Sequence, residues 1–271
     1  GLTLKMDARA LIPRPETEEL IRHLLQRQEG VDPKRIVDIG TGSGCMALAW
    51  KSQRPQDEVT GVDVSEAALS LARENAKQLG FEDVHWEVLD VLESSPFKMT
   101  SMAKRAWDVV MSNPPYIPES ERSSMENRVV EFEPANALFV SDQDPLCFYR
   151  AIATGCLEGA WLVSGGWLGL ECHRDYCAAV AAWLSEQSEW SRSTCWTICK
   201  ALHEWSSLSE NNLDALFGFR ADSHHQSFLN QVCRDGKANA LNPHAEHLFI
   251  DNPNQGPVRV NKGAATVSRA D

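Results

Sequence analysis

No apolar run in this 271-residue chain approaches the ~18 consecutive positions that a membrane helix needs. Positive charge is scarce: 26 Lys and Arg stand against 38 Asp and Glu, for a formal net charge of −12. That balance argues against a protein that grips a phosphate backbone over a wide surface. No charged segment followed by a short apolar stretch marks a secretory leader. The eight cysteines lack paired zinc-ribbon spacing, at Cys172 and Cys177 as at Cys195 and Cys199, and read as reduced thiols with no metal. What the chain does have is a 43% apolar content, enough to bury a core, which excludes wholesale disorder.

The charge is uneven. Residues 1–190 hold 18 basic and 30 acidic residues, and residues 191–271 hold 8 of each. The last 81 residues therefore differ in kind from the rest. Five of the eight histidines lie there (His203, His224, His225, His244 and His247) without metal-site spacing, and read as solvated. The chain opens Gly1-Leu2-Thr3 with no initiator Met, so a processed or truncated product is expected.

Hydrophobic patterning predicts alternating strands and helices up to about residue 184. Strands are expected at 35–40, 59–64, 84–89, 107–111 and 166–171, with helices at 45–51, 66–79, 147–157 and 176–184. Ser65 and Gly80 are the expected caps of the second helix. This alternation predicts an α/β domain with a mostly parallel sheet. From Ser191 the alternation stops. A weak helix is expected at 202–217, and coil from Asn242, where Asn, Pro and Gly accumulate.

Asp38-Ile39-Gly40-Thr41-Gly42-Ser43-Gly44 follows the first strand and opens a helix. Glycines there let backbone approach a ligand closely. The spacing departs from the dinucleotide fingerprint, and no Lys-Ser/Thr pair follows, which excludes a phosphate-binding P-loop. Asp63 ends the next strand, where an acid can accept both hydroxyls of a ribose. The pair points to a nucleoside-cofactor site; a purely structural strand-to-helix turn is the competing reading.

Ser112-Asn113-Pro114-Pro115-Tyr116 follows the fourth strand, on the side where open α/β sheets place their ligands. Two prolines fix two φ angles and remove two N–H donors. What remains is a rigid rim of carbonyl acceptors beside the Asn113 side chain, suited to a planar –NH2 group with two donors. Tyr116 offers a ring to stack on a flat amide or base.

Together these segments resemble class I methyltransferases, which use S-adenosyl-L-methionine and modify a planar nitrogen. Leu11-Ile12-Pro13-Arg14-Pro15-Glu16-Thr17-Glu18 narrows the likeness to the HemK-type release-factor glutamine methyltransferases. Val130-Glu131-Phe132-Glu133-Pro134 and Leu162–Gly166 followed by Leu170-Glu171 are similar to later segments of that family. The likeness covers about residues 4–184.

The resemblance implies a Rossmann-like fold with helices on both faces of the sheet. It implies methyl transfer to the side-chain amide of the glutamine in the Gly-Gly-Gln motif of a peptide-chain release factor. Gly40, Thr41, Gly42, Ser43 and Gly44 would wrap the amino-acid end of the cofactor, Asp63 its ribose, and Asp90 and Val91 its adenine. Asn113 and Pro114, with Pro115, would hold the substrate amide at the edge of the cofactor site, and Tyr116 would pack against it. Arg14, Glu16 and Phe132 would border the substrate pocket.

The expected organisation is a methyltransferase domain over 1–190, without the family's N-terminal docking domain, and a divergent, weakly structured tail over 191–271. The family's terminal strand pair is not visible after Trp190. The expected partner is a release factor, with no membrane and no nucleic acid, for a monomer in the cytoplasm or an organelle and not secreted. Two readings compete: a nucleic-acid adenine methyltransferase with the same catalytic loop, and a cofactor-binding remnant without turnover.

Overall fold

The computed structural model describes residues 1–28, 30–93, 106–125, 127–158 and 161–186, and the backbone of 194–199. The expected weak helix and coil of the tail lie outside these residues.

The sheet is built on a short apolar core. Strand β1 (Arg35–Ile39) is buried along Ile36–Ile39. It pairs in parallel with β2 (Glu58–Asp63) on one side and β4 (Trp107–Ser112) on the other. Beyond β2 lies β3 (His85–Val88). Beyond β4 lies β7 (Leu162–Cys172), then β8 (Thr194–Cys199), all parallel. The resulting order is β3-β2-β1-β4-β7-β8. Chain direction across the sheet reverses between β1 and β4, and ligands of open α/β sheets bind outside the carboxyl ends of the strands at such a point. Two small strands, β5 (Ile117–Pro118) and β6 (Phe139–Val140), pair with each other.

Side-chain alternation along the strands feeds two cores, because successive Cβ atoms point to opposite faces. Ile36, Val59, Val109 and Met111 pack with α1 (Pro15–Gln26), α2 (Cys45–Gln53) and α3 (Glu66–Leu79). Val37, Ile39, Val110 and Leu168 pack on the other face with α6 (Cys147–Leu157) and α7 (Cys177–Glu186). The fold is thus the Rossmann-like α/β architecture expected, with helices on both faces. Two short helices, α4 (Asn127–Phe132) and α5 (Ala135–Leu138), lie between β5 and β6.

Local chemistry sets the helix ends. Ser65 Oγ accepts the Ala68 N–H at 3.2 Å, and Gly80 closes α3 at φ 74°. Helix α1 starts on Pro15, whose missing N–H costs nothing in a first turn. Its Leu20, Ile21 and Leu24 face the core. This helix was hidden in the sequence behind the proline-rich motif that opens it.

Two further differences emerge. The sheet does not end at β7: β8 falls inside the stretch where no element was expected. Its sequence, Thr194-Cys195-Trp196-Thr197-Ile198-Cys199, lacks the continuous apolar run that marks β1. Second, Cys177 is disulfide-bonded, which corrects the reading of every cysteine as a reduced thiol; sequence spacing carries no signal for such a pairing. Cys45, Cys147, Cys156 and Cys172 are free. Among the described residues no helix is long and apolar enough to cross a membrane.

Candidate active site

The glycine loop is made by backbone geometry that side chains oppose. Gly40, Gly42 and Gly44 have φ of 71°, 55° and 81°, the left-handed region that only glycine enters without strain. The Gly40 and Thr41 N–H groups donate to Val62 O at 2.8 and 2.9 Å, fixing the loop to the end of β2. Behind it, Asp38 is fully buried. Its Oδ2 accepts the Thr41 hydroxyl at 2.6 Å and the Ala47 N–H at 3.2 Å. Burial pushes the Asp38 carboxyl up to about 7, against the pull of those two hydrogen bonds.

Asp63 stands at the end of β2 beside the loop. Its Oδ2 accepts the Gly42 N–H and its Oδ1 the Ser65 N–H, both at 2.9 Å. Burial raises its pKa, and these backbone donors oppose the rise. A carboxylate has about four lone-pair sites, so both oxygens retain capacity to accept further donors.

A cavity of about 380 Å³ opens over these groups. Gly40, Thr41, Gly42, Ser43 and Asp63 form one side; Asp90 and Val91, after β3, form another. Asn113, Pro114 and Pro115, after β4, complete the floor. Gly44 is placed differently from the expectation. It is the N-cap of α2 and turns into the protein, where a Cβ would lie 2.8 Å from the Trp86 ring.

Several wall residues were not among those expected. Ala10, Pro13 and Thr17 contribute from the N-terminal segment and α1, and Phe148 and Ile152 from α6. The N-terminal segment is held by Asn75, which is fully buried on α3. Asn75 Oδ1 accepts the Lys5 N–H at 2.7 Å, and its Nδ2 donates to Lys5 O at 3.1 Å and to Ser43 O at 3.0 Å. One side chain thus ties that segment to the glycine loop.

A second cavity of about 350 Å³ adjoins the first. Asn113, Leu11 and Ala137 line both. Arg14, Tyr116, Ile117 and Val129 line the second alone. Asn113 therefore stands at the junction. Its Nδ2 donates to Thr17 Oγ1 at 3.2 Å, while its Oδ1 is buried with no hydrogen-bond partner among the described residues. Tyr116 is buried, and its hydroxyl donates to Glu171 Oε1 at 3.3 Å. Burial, then the Glu171 carboxylate, pushes the Tyr116 phenol well above its usual value, so it stays a donor.

The expected substrate-side residues divide. Arg14 borders the second cavity and pairs with the buried Glu133 through Nη2, at 2.8 Å to Oε1. Glu16 is half-buried and lines neither cavity, though its charge reaches Tyr116. Phe132 is 64% exposed and lines neither. At the end of α4 the chain presents Phe132 to solvent, and the next residue, Glu133, folds back onto Arg14 and the Ile12 N–H. The structural contact sits one position along from the expected one.

Residues 15–136 match the family model described as methyltransferase small domain. That stretch of the chain is similar to a methyltransferase domain. Curated relatives agree in name. The release factor glutamine methyltransferase of Bacteroides thetaiotaomicron is 40% identical over 176 residues, covering 65% of this chain and 60% of that protein. That of Lactococcus lactis is 42% identical over 154 residues, covering 56% and 52%. That of Deinococcus radiodurans is 40% identical over 173 residues, covering 63% and 57%. The chain thus spans between half and two thirds of the length of these relatives. The residues that match the family model include the glycine loop, Asp63 and Asn113.

Proposed function

We propose that this chain transfers a methyl group from S-adenosylmethionine to the side-chain amide of a glutamine, in the Gly-Gly-Gln motif of a peptide-chain release factor. The observation that carries this reading is the Asn113 side-chain oxygen. It is a buried acceptor without a partner among the described residues, at the junction of two cavities. Leaving a buried acceptor unsatisfied costs about 1–3 kcal/mol, and a substrate –NH2 arriving there would satisfy it.

The first cavity fits the cofactor in size, since small-molecule sites run from ~300 to ~1,000 Å³. Gly40, Thr41, Gly42 and Ser43 would hold its amino-acid end, Asp63 the ribose hydroxyls, and Asp90 and Val91 the adenine. A Cβ at Gly40 would meet nothing within 4 Å, so glycine serves there for its backbone angle rather than for room. Bound there, the cofactor supplies a methyl group on a positively charged sulfur, a strong electrophile.

The residues of the chain then have to make an amide nitrogen nucleophilic, because its lone pair is delocalised into the adjoining carbonyl. Asn113 Oδ1 and the Pro114 carbonyl would accept the two N–H groups of the substrate amide and localise that lone pair. Pro115 keeps the rim rigid, so that positioning supplies most of the rate. Tyr116 would close the second cavity against the substrate side chain. Arg14, paired with Glu133, would form its outer border.

The test offers radiolabelled S-adenosylmethionine to the full chain with a release factor, with a Gln→Ala release factor, and with DNA. Label on the intact release factor alone is expected. Label on DNA, or cofactor binding without any label transferred, overturns the reading.

A further inference from the structure

Glu171 is a fully buried carboxylate on β7, and the reaction proposed above gives it nothing to do. Its hydrogen bonds form an ordered relay. Its Oε2 accepts the Thr17 hydroxyl at 2.7 Å, and its Oε1 accepts the Tyr116 hydroxyl at 3.3 Å. Thr17 has a single hydroxyl proton, and Glu171 receives it. The Thr17 oxygen can then only accept, and the Asn113 –NH2 donates to it at 3.2 Å. An amide that turns its –NH2 toward Thr17 must turn its oxygen the other way. That oxygen is the buried Asn113 Oδ1 without a partner among the described residues.

We infer that Thr17 and Glu171 are positioning residues that fix which way round the Asn113 amide faces. The inference rests on the reading that Asn113 accepts a substrate –NH2. The two orientations of an asparagine amide have nearly the same shape and differ only in hydrogen-bonding sense. Flipped, Asn113 would point donors at a donor substrate. Each Glu171 oxygen accepts a hydroxyl, Oε2 from Thr17 and Oε1 from Tyr116, and this imposes direction on the chain Glu171–Thr17–Asn113. Tyr116, held on the other oxygen, shares the same anchor.

The full chain is assayed as Thr17→Val, Thr17→Ser and Glu171→Met beside the wild type. Thr17→Val removes the acceptor for the Asn113 –NH2. Glu171→Met frees the Thr17 proton to donate to Asn113, so that either orientation becomes available. Both lower kcat on the release factor about 10- to 100-fold, the scale of a misplaced reacting group, and Glu171→Met, at a residue that lines neither cavity, leaves the affinity for S-adenosylhomocysteine unchanged. Thr17→Ser keeps the hydroxyl and restores turnover. A second readout needs no activity: the Asn113 side-chain amide signal in the 1H–15N spectrum shifts in Thr17→Val and Glu171→Met and stays in place in Thr17→Ser.

The two readings fail separately. A wild-type chain that does not methylate the release factor overturns the proposed function, while the amide signals still report on the relay. Wild-type turnover matched by Thr17→Val, or an Asn113 signal unmoved in that variant, overturns the relay. If Glu171→Met does not fold, the Val and Ser pair at position 17 decides alone.

Discussion

Asp63 Oδ2 accepts the Gly42 N–H at 2.9 Å, so the carboxylate that ends β2 also fixes the apex of the glycine loop. The same group thus shapes the cavity and lines it. Asp63→Ala removes both roles. Hydrogen bonds to charged groups contribute about 1.5–3 kcal/mol, so titration calorimetry with S-adenosylhomocysteine should show affinity weakened about 10- to 100-fold. Asp63→Asn keeps one acceptor oxygen and should fall between. Equal affinity in all three proteins would remove Asp63 from the cofactor site.

Gly61 on β2 sits opposite Trp86 on β3 in register. A Cβ at Gly61 would lie 2.4 Å from the ring and 2.9 Å from Thr41 Oγ1. Gly61→Ala should therefore destabilise the domain by about 1–3 kcal/mol, the usual cost of overpacking. Residues in contact couple in double-mutant cycles. Gly61→Ala in a Trp86→Ala background should cost measurably less than in the wild type, as read by urea denaturation.

Two buried groups give stability opposite dependences on pH. Asp38 is raised to about 7 by burial. Between pH ~4 and ~7 the folded chain holds a proton there that the unfolded chain has released. Its contribution is full below pH ~4 and is lost as pH rises through 7. His23, on α1, is lowered to about 4, by burial first and then by Arg22 and Arg27. Its contribution is full above pH ~6.5 and is lost as pH falls toward 4. Urea midpoints measured from pH 4.5 to 7.5 should separate the two. Asp38→Asn should leave a profile that rises with pH, and His23→Gln one that falls.

The sequence disclosed the parts of the site that are contiguous along the chain. Asp38–Gly44, Asp63 and Asn113–Tyr116 each sit at a strand end that apolar patterning locates, so their convergence at the β1/β4 reversal follows from the α/β alternation. The Thr17–Glu171 contact spans 154 residues, and neither residue shows periodicity or spacing that announces it. Asn75 likewise sits in an ordinary amphipathic helix, and only the folded chain places it between Lys5 and Ser43. Phe132 was expected at the substrate pocket because it lies in the Val130–Pro134 segment that carries the family resemblance. At the end of a six-residue helix, however, a one-residue difference decides which side chain faces inward, and that is Glu133. Strand β8 escaped because partnering by β7, rather than its own apolar pattern, defines it.

The central claim is that the Asn113 oxygen acts on the substrate amide. Asn113→Ala in the full chain, assayed on a release factor alongside cofactor binding, tests it most directly. The account predicts turnover reduced about 100-fold or more, the scale seen when a preorganised polar partner is removed, with cofactor binding largely retained. Near-normal turnover in that variant would contradict it.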